Sequence, residues 1–426
     1  MQTTTLAAGT AAPHGATTAT TPHSAAAAKP AATTRDVRLD FFRGIAMFII
    51  LIAHTPGNWV TRWIPARWGF SDATEIFVFC SGMASAIAFG AVFAKRGMWM
   101  GTARVAFRTW QVYWAHIALF FAIAATMVAL NGIFPDGRDY VGQLNLHPFF
   151  NNAQTNLLGL LTLTYVPNYF DILPMYLVIL AMLPLMVLLS RAHVGLVFAA
   201  MFILWAFAQG RILEMIGLEA FALDFPAEPW SERTWFFNPF GWQLVFFTGF
   251  AFMMRWLPAP PRAGWLFLVA LAVVLANIPL SNIGTRELDL DWARDWRSAN
   301  SALFFKSDFG ILRYVQFLAL AYVAWFLAGP MGARIRAREG GGIGAQIWAM
   351  VLAVIMKVGQ QSLAVFVFSM FFARLMGVMF DLMGRSHATM VLVNAIGFAA
   401  IIGIAYLAAW FKSQPWKTRR QSNAAA

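Results

Sequence analysis

Ten apolar stretches follow one another along this chain, at roughly 40–58, 72–94, 104–131, 172–190, 194–212, 238–256, 264–282, 311–329, 351–378 and 388–411. Each is long enough to cross about 30 Å of hydrocarbon as a helix rising 1.5 Å per residue. In lipid every backbone N–H and C=O must be satisfied within the protein, which leaves helices or a closed barrel. Barrel strands would alternate in short segments, whereas these runs are continuous. The expected fold is therefore all-α, a polytopic membrane helix bundle of about ten transmembrane helices.

Composition narrows the alternatives. Of 426 residues 60% are hydrophobic and 12% charged, and that charged share is about half the usual one. So few charges cannot cover a water-facing surface, which excludes a soluble globular enzyme, a disordered chain and a fibrous one. The single cysteine, Cys80, excludes a disulfide framework or a Cys-based metal site within one chain. It sits in the apolar run Phe-Val-Phe-Cys-Ser-Gly and reads as a buried, inert thiol. No metal is expected.

Residues 1–34 are mostly Ala and Thr, with Lys29 the only charged side chain. They cannot bury enough apolar surface to fold and are expected to form a disordered cytoplasmic tail. No basic start precedes an apolar core, so they do not read as a signal peptide. The integral membrane domain is expected over 35–412, with a basic cytoplasmic tail over 413–426.

A net charge of +12 would suit nucleic acid, but its distribution argues otherwise. Threading the ten stretches puts Arg35, Arg38, Lys95, Arg96, Arg104, Arg191, Arg262, Arg334, Arg336 and Lys412 on one side. All of the 19 acidic residues except Asp36, Asp40 and Glu339 fall on the other. The basic side is expected to be cytoplasmic, with both termini inside. The cations then face the cytosol and anionic headgroups, with no nucleic-acid partner. Three outside loops are long, at about 132–171, 213–237 and 283–310. They suit a polar partner on that face, or are solvated connectors. Asp289-Leu290-Asp291 looks like the Asp-x-Asp of metal-dependent glycosyltransferases. Nucleotide sugars are cytosolic, however, and this loop lies outside.

Ionisable residues inside a span cost roughly 2.5–3.5 kcal/mol each on insertion scales, so they mark candidate chemistry. Arg43 and His54 lie eleven residues apart in the first stretch. That spacing places both on one helix face, about 16 Å apart along the axis. Asp40 shares that side. Taken singly, Arg43 reads as a snorkelling cation and His54 as an interfacial histidine before a Pro-Gly stop; their common face favours a site. Asp72 and Glu75 open the second stretch at i, i+3. They enter from the end where His54 sits, so either carboxylate is placed to orient its imidazole. Helix capping is the plainer role for Asp72. Arg104 and Arg108, at i, i+4, are placed to grip phosphates or simply obey the positive-inside rule. His116 lies deeper, as a ligand-facing or a core histidine. Asp171, Asn238, Gln243, Lys306, Arg313, Gln360, Gln361 and Ser362 add polar groups that suggest a cavity entering from outside, or interhelical glue.

At these residues the chain resembles a known family. Arg-x10-His, from Arg43 to His54, resembles the signature of the acyltransferase 3 superfamily of membrane acyltransferases. Five stretches resemble the OpgC family in particular: Arg38-Leu39-Asp40-Phe41-Phe42-Arg43-Gly44; Gly69-Phe70-Ser71-Asp72-Ala73 through Phe79; Asp171-Ile172-Leu173-Pro174-Met175-Tyr176; Asn238-Pro239 with Trp242-Gln243; and Gly359-Gln360-Gln361-Ser362-Leu363 with Val365-Phe366. The likeness covers roughly 35–410. It implies O-acyl transfer, of succinyl in the named case, from cytosolic acyl-CoA to an osmoregulated periplasmic glucan or similar glycan at a bacterial inner membrane. No permanently bound cofactor is implied. By resemblance His54 is the motif histidine and Arg43 the motif arginine. Superfamily members often carry Arg-x-x-Arg near the second and third spans; Arg104 and Arg108 stand one residue wider. In this reading His54 is the base, aided by Asp72 and Glu75. Arg43, Arg104 and Arg108 hold CoA phosphates, and Lys306 or Arg313 faces a succinyl carboxylate. Asp40, His116, Asp171, Gln243, Gln360 and Ser362 line or support the site. A transporter or flippase for a glycan or lipid-linked sugar would use the same cavity without an acyl donor.

Overall fold

The computed structural model describes residues 36–134, 137–338 and 340–417. The tail expected over 1–34 lies outside them, as do Glu339 and the last residues of the 413–426 tail. Among the described residues helix is the regular structure, and Pro226 and Thr234 form one isolated β-bridge.

The helices are α1 Arg38–His54, α2 Ala73–Ser85, α3 Ala91–Ile133, α4 His147–Asn151, α5 Ala153–Thr162, α6 Ile172–Ala192, α7 Val194–Phe207 and α8 Gly210–Met215. They continue as α9 Pro239–Met253, α10 Gly264–Ala276, α11 Asp291–Ala299, α12 Ile311–Ala328, α13 Ile343–Gln360, α14 Ser362–Met383 and α15 His387–Ser413. Six helical runs are long and apolar enough to cross a membrane: Ala73–Ile133, Ile172–Ala192, Ile311–Ala328, Ile343–Gln360, Ser362–Met383 and His387–Ser413. The first of them, 61 residues long, covers two of the expected stretches. Its regularity is broken by a π-helical turn over Ala86–Gly90 and by Gly97 at φ 80.

α7, α9 and α10 are apolar but shorter, and α1 has 17 residues. Their ends have local causes. Asn238 caps α9 by accepting from the Phe240 N–H, and Pro239 takes the first position, where no N–H is needed. The chain leaves α9 through Arg255 at φ 61. The outside loops expected at 132–171 and 283–310 are partly helical, holding α4, α5 and α11.

α1 packs against α2, α13 and α14, α2 against α9, and α3 against α6. Small residues set the closest approaches. A Cβ at Gly44 would run into the backbone oxygen of Ile355 on α13, and one at Gly359 into that of Asp40. α2 and α9 interlock likewise through Gly82 and Gly249. Such contacts let backbones meet where lipid supplies no hydrophobic drive between helices. α9 is the most enclosed helix, with Trp242, Leu244, Val245, Phe246, Phe247 and Phe250 fully buried. Cys80 is buried and unpaired.

Candidate active site at the two ends of the first helix

α1 is the axis of the site, because its apolar face is locked against α13 and α14 while its polar residues lie at two levels. Near its start, Arg43 donates through Nη2 to the Ser362 hydroxyl at the first turn of α14. Gln360 donates to Asp40 at 3.2 Å. Beside Arg43 lies a cavity of about 260 Å³, lined by Arg43, Arg104, Arg108, Gln111, Tyr176 and Ser362 over a floor of apolar side chains. Its lining contains three arginines and no carboxylate. Arg108 also donates to Gln111 at 3.3 Å. Lys412 of α15 reaches Gln361 at 2.6 Å and stands within electrostatic range of Arg43 and Arg108. A cluster of cations that outnumbers its one nearby acid, Asp40, suits an anion, and guanidinium forks match phosphate oxygens in particular. Arg104 and Arg108 thus converge with Arg43 despite their wider spacing, since i and i+4 share a helix face.

The other end of α1 is His54. Thr55 returns its hydroxyl to the Leu51 carbonyl at 2.7 Å, and Gly57 turns the chain away at φ 76. The imidazole meets the Tyr169 ring edge-on, with centroids 5.3 Å apart. Tyr169 itself has a left-handed backbone, φ 86, and its hydroxyl donates to the Met370 carbonyl of α14 at 2.6 Å. Around them Asp72 and Glu75 form a reciprocal capping box at the start of α2. Lys306 donates to Asp72 at 2.6 Å. Arg313 donates through Nε to Glu75 at 2.8 Å and lies 3.6 Å from Asp72. Glu75 is fully buried and Arg313 is 6% exposed. Burying these charges is tolerable because each carboxylate has a cation and a backbone N–H. Ser71 completes the wall by donating to Gln316, both residues buried.

This geometry bears on two expectations. Neither Asp72 nor Glu75 hydrogen-bonds His54. Their oxygens are taken by Lys306, Arg313 and the backbone of α2, so the carboxylates influence the imidazole through space, as Asp72 does, and Tyr169 packs its ring. Likewise Lys306 and Arg313 each already hold a carboxylate of the protein, Asp72 and Glu75.

The remaining expected residues separate by role. Asp171 accepts from the Phe236 N–H at 3.0 Å and so pins the loop after α5 to the segment before α9. Gln243 donates to the Met201 carbonyl of α7 at 2.7 Å and joins two helices. His116 is fully buried in α3 with neither ring nitrogen hydrogen-bonded, the placement of the core alternative and not of the ligand-facing one. Asp289 and Asp291 are both bound by Arg294, which closes that pair as a local ion pair rather than a metal site.

A second cavity, of about 600 Å³, borders Ala53 and Thr55, the neighbours of His54. Asn58, Trp59, Arg62, Arg67 and Arg286 line it. Sequence reasoning missed these residues because they sit in ordinary-looking connectors. Tyr169 was invisible for the same reason. Arg374 was not: it is a cation inside the apolar helix α14, the very signal that nominated Arg43.

The family model described as OpgC protein matches residues 35–413. No curated protein matches the chain, and no solved structure does.

Proposed function

We propose that this chain, which belongs to the OpgC family, is a membrane O-acyltransferase that moves a succinyl group from cytosolic acyl-CoA to a glucan or related glycan across a bacterial inner membrane. Membership supports a glucan-modifying transferase. The donor, the acceptor and a place in the wider acyltransferase 3 superfamily are our reading. One observation carries it: a single helix holds Arg43 in a carboxylate-free, arginine-lined cavity at one end and His54 in a polar enclosure at the other.

In this reading the phosphates of the donor rest on Arg43, Arg104 and Arg108. The pantetheine arm is slender and runs along α1 toward His54. A sugar hydroxyl is a weak nucleophile at neutral pH, and a neutral imidazole is suited to take its proton as attack proceeds. The hydroxyl oxygen attacks the thioester carbonyl as His54 accepts the proton. The C–S bond then breaks, and the imidazolium returns the proton to the departing thiolate. The products are the acylated sugar and free CoA. The acceptor approaches through the cavity beside Ala53 and Thr55, where Trp59 offers a sugar-stacking face and Asn58, Arg62, Arg67 and Arg286 offer polar contacts.

The topology we favour has about ten spans and both termini in the cytoplasm; the six longer runs, the first counted as two crossings, supply seven helices and α1, α7, α9 and α10 four more, so one of these eleven does not cross in this reading. The test uses inverted membrane vesicles with neutral β-glucan trapped in the lumen and succinyl-labelled CoA added outside. Labelled glucan inside is the expected result. Label appearing only when donor and acceptor share one face would overturn transfer across the membrane.

A further inference from the structure

α14 is a 22-residue apolar helix with Arg374 a little past its middle. A cation at such a place is costly and persists where it pairs or performs a function. Arg374 is 8% exposed. Its Nη2 donates to the amide oxygen of Gln143 at 2.8 Å, and its guanidinium carbon lies 5.4 Å from the Tyr169 ring centre. Its Nε is buried with no hydrogen-bond partner. The acid on the same helix, Asp381, is engaged elsewhere, by Arg385 at 2.5 Å and Arg138 at 3.1 Å. Among the described residues no carboxylate stands within ion-pairing distance of Arg374.

The Tyr169 ring that lies under Arg374 is the ring that meets the His54 imidazole. Two cations stand in electrostatic reach of His54, Lys306 and Arg374. Lys306 is ion-paired with Asp72; Arg374 is not in an ion pair and feels Asp381 only through space. A guanidinium with an open Nε–H matches a carboxylate in shape and charge.

We propose that Arg374 is the specificity-determining residue for the donor, binding a carboxylate at the far end of the acyl chain and so selecting a dicarboxylic monothioester over an uncharged acyl thioester. The inference rests on the acyltransferase reading above and assigns to Arg374 the task that the sequence had suggested for Lys306 or Arg313. Because Tyr169 holds both groups, the bound carboxylate also fixes where the thioester carbonyl lies relative to His54.

The experiment uses the full chain in lipid nanodiscs with a neutral β-glucan acceptor. Succinyl-CoA is compared with butyryl-CoA, which has the same carbon count and no carboxylate. In Arg374→Gln the kcat/KM ratio of succinyl to butyryl donor is expected to fall at least tenfold, mostly through KM for succinyl-CoA. Arg374→Lys is expected to recover part of it. Equal losses on both donors, or an unchanged ratio, would overturn the proposal, since a merely structural arginine has no reason to tell the donors apart. A second readout needs no turnover: monomethyl succinate is expected to raise the melting temperature of the wild-type protein and not of Arg374→Gln. If the wild type transfers from neither donor but shows this Arg374-dependent stabilisation, the acyltransferase reading fails and the anion site stands. If transfer proceeds and the stabilisation is the same in both proteins, the anion site fails and the reading stands.

Discussion

Side-chain pairing at the His54 end separates groups that are spoken for from groups left to act. Lys306, Arg313, Asp72 and Glu75 neutralise one another, whereas His54 has only a ring contact with Tyr169. Tyr169 contributes its ring, since its hydroxyl is spent on the Met370 carbonyl. Tyr169→Phe is therefore expected to keep acyl transfer within a few fold, at a stability cost of about 1 kcal/mol for the lost hydrogen bond. Tyr169→Ala should reduce transfer much further, by releasing the imidazole. Equal effects of the two changes, measured as initial rates in nanodiscs, would contradict this. At the Arg43 end, Arg104→Ala and Arg108→Ala should each raise KM for acyl-CoA by roughly 10-fold or more, as expected for loss of a charge-assisted hydrogen bond worth about 1.5–3 kcal/mol. Unchanged KM would place the donor elsewhere. Outside the spans, burial pushes the Asp308 carboxyl up to about 6, with Arg211 opposing. A carboxyl raised in the folded state weakens the fold as pH climbs from its unfolded value near 4 through 6. Asp308→Asn should accordingly raise the melting temperature above pH 6 and leave it unchanged below about pH 4. The opposite pH order would refute the assigned cause.

Helices are where the sequence was most legible, and their ends least. Apolar length marked Ile172–Ala192, Ile311–Ala328 and His387–Ser413 closely, because lipid leaves the backbone no alternative, but the single stretch expected at 351–378 is two helices, α13 and α14, parted at Gln361. It did not foresee that α9 stops at Met253 or that α4, α5 and α11 interrupt the connectors, since those depend on caps and tertiary contacts. The i, i+11 register of Arg43 and His54 was readable from helix geometry alone. Pairing across helices was not: nothing local in Lys306 or Arg313 announces that Asp72 and Glu75 will claim them. The glycines were visible, but their task was not, because it belongs to a partner helix. Gly359 lets the Asp40 carbonyl of α1 approach α13, and Gly82 meets α9 in the same way. Gly359→Val and Gly82→Leu are each expected to destabilise by about 1–3 kcal/mol or more through overpacking, seen as a lower melting temperature in detergent. Gly264, whose Cβ would meet nothing within 4 Å, should tolerate Ala. Melting temperatures that do not separate these sites would refute the interlocked-helix account.

For the whole molecule, charge and chemistry describe one asymmetry. The cation-lined cavity lies at the Arg43 end of α1, within reach of Lys412, and His54 lies at the other end, within reach of Asp72. Because Cys80 is the only cysteine and is buried, introduced cysteines report topology cleanly. Glu232→Cys should react with an impermeant maleimide on intact spheroplasts, and Lys417→Cys only after permeabilisation; the reverse pattern would invert the bundle. The account as a whole stands on His54 as the base. Its most direct test is the rate at which His54→Ala transfers labelled succinyl from CoA to neutral β-glucan in nanodiscs, compared with wild type at equal protein. The expected result is a fall of about 10²–10⁴-fold with the affinity for CoA unchanged. Transfer at the wild-type rate would contradict it.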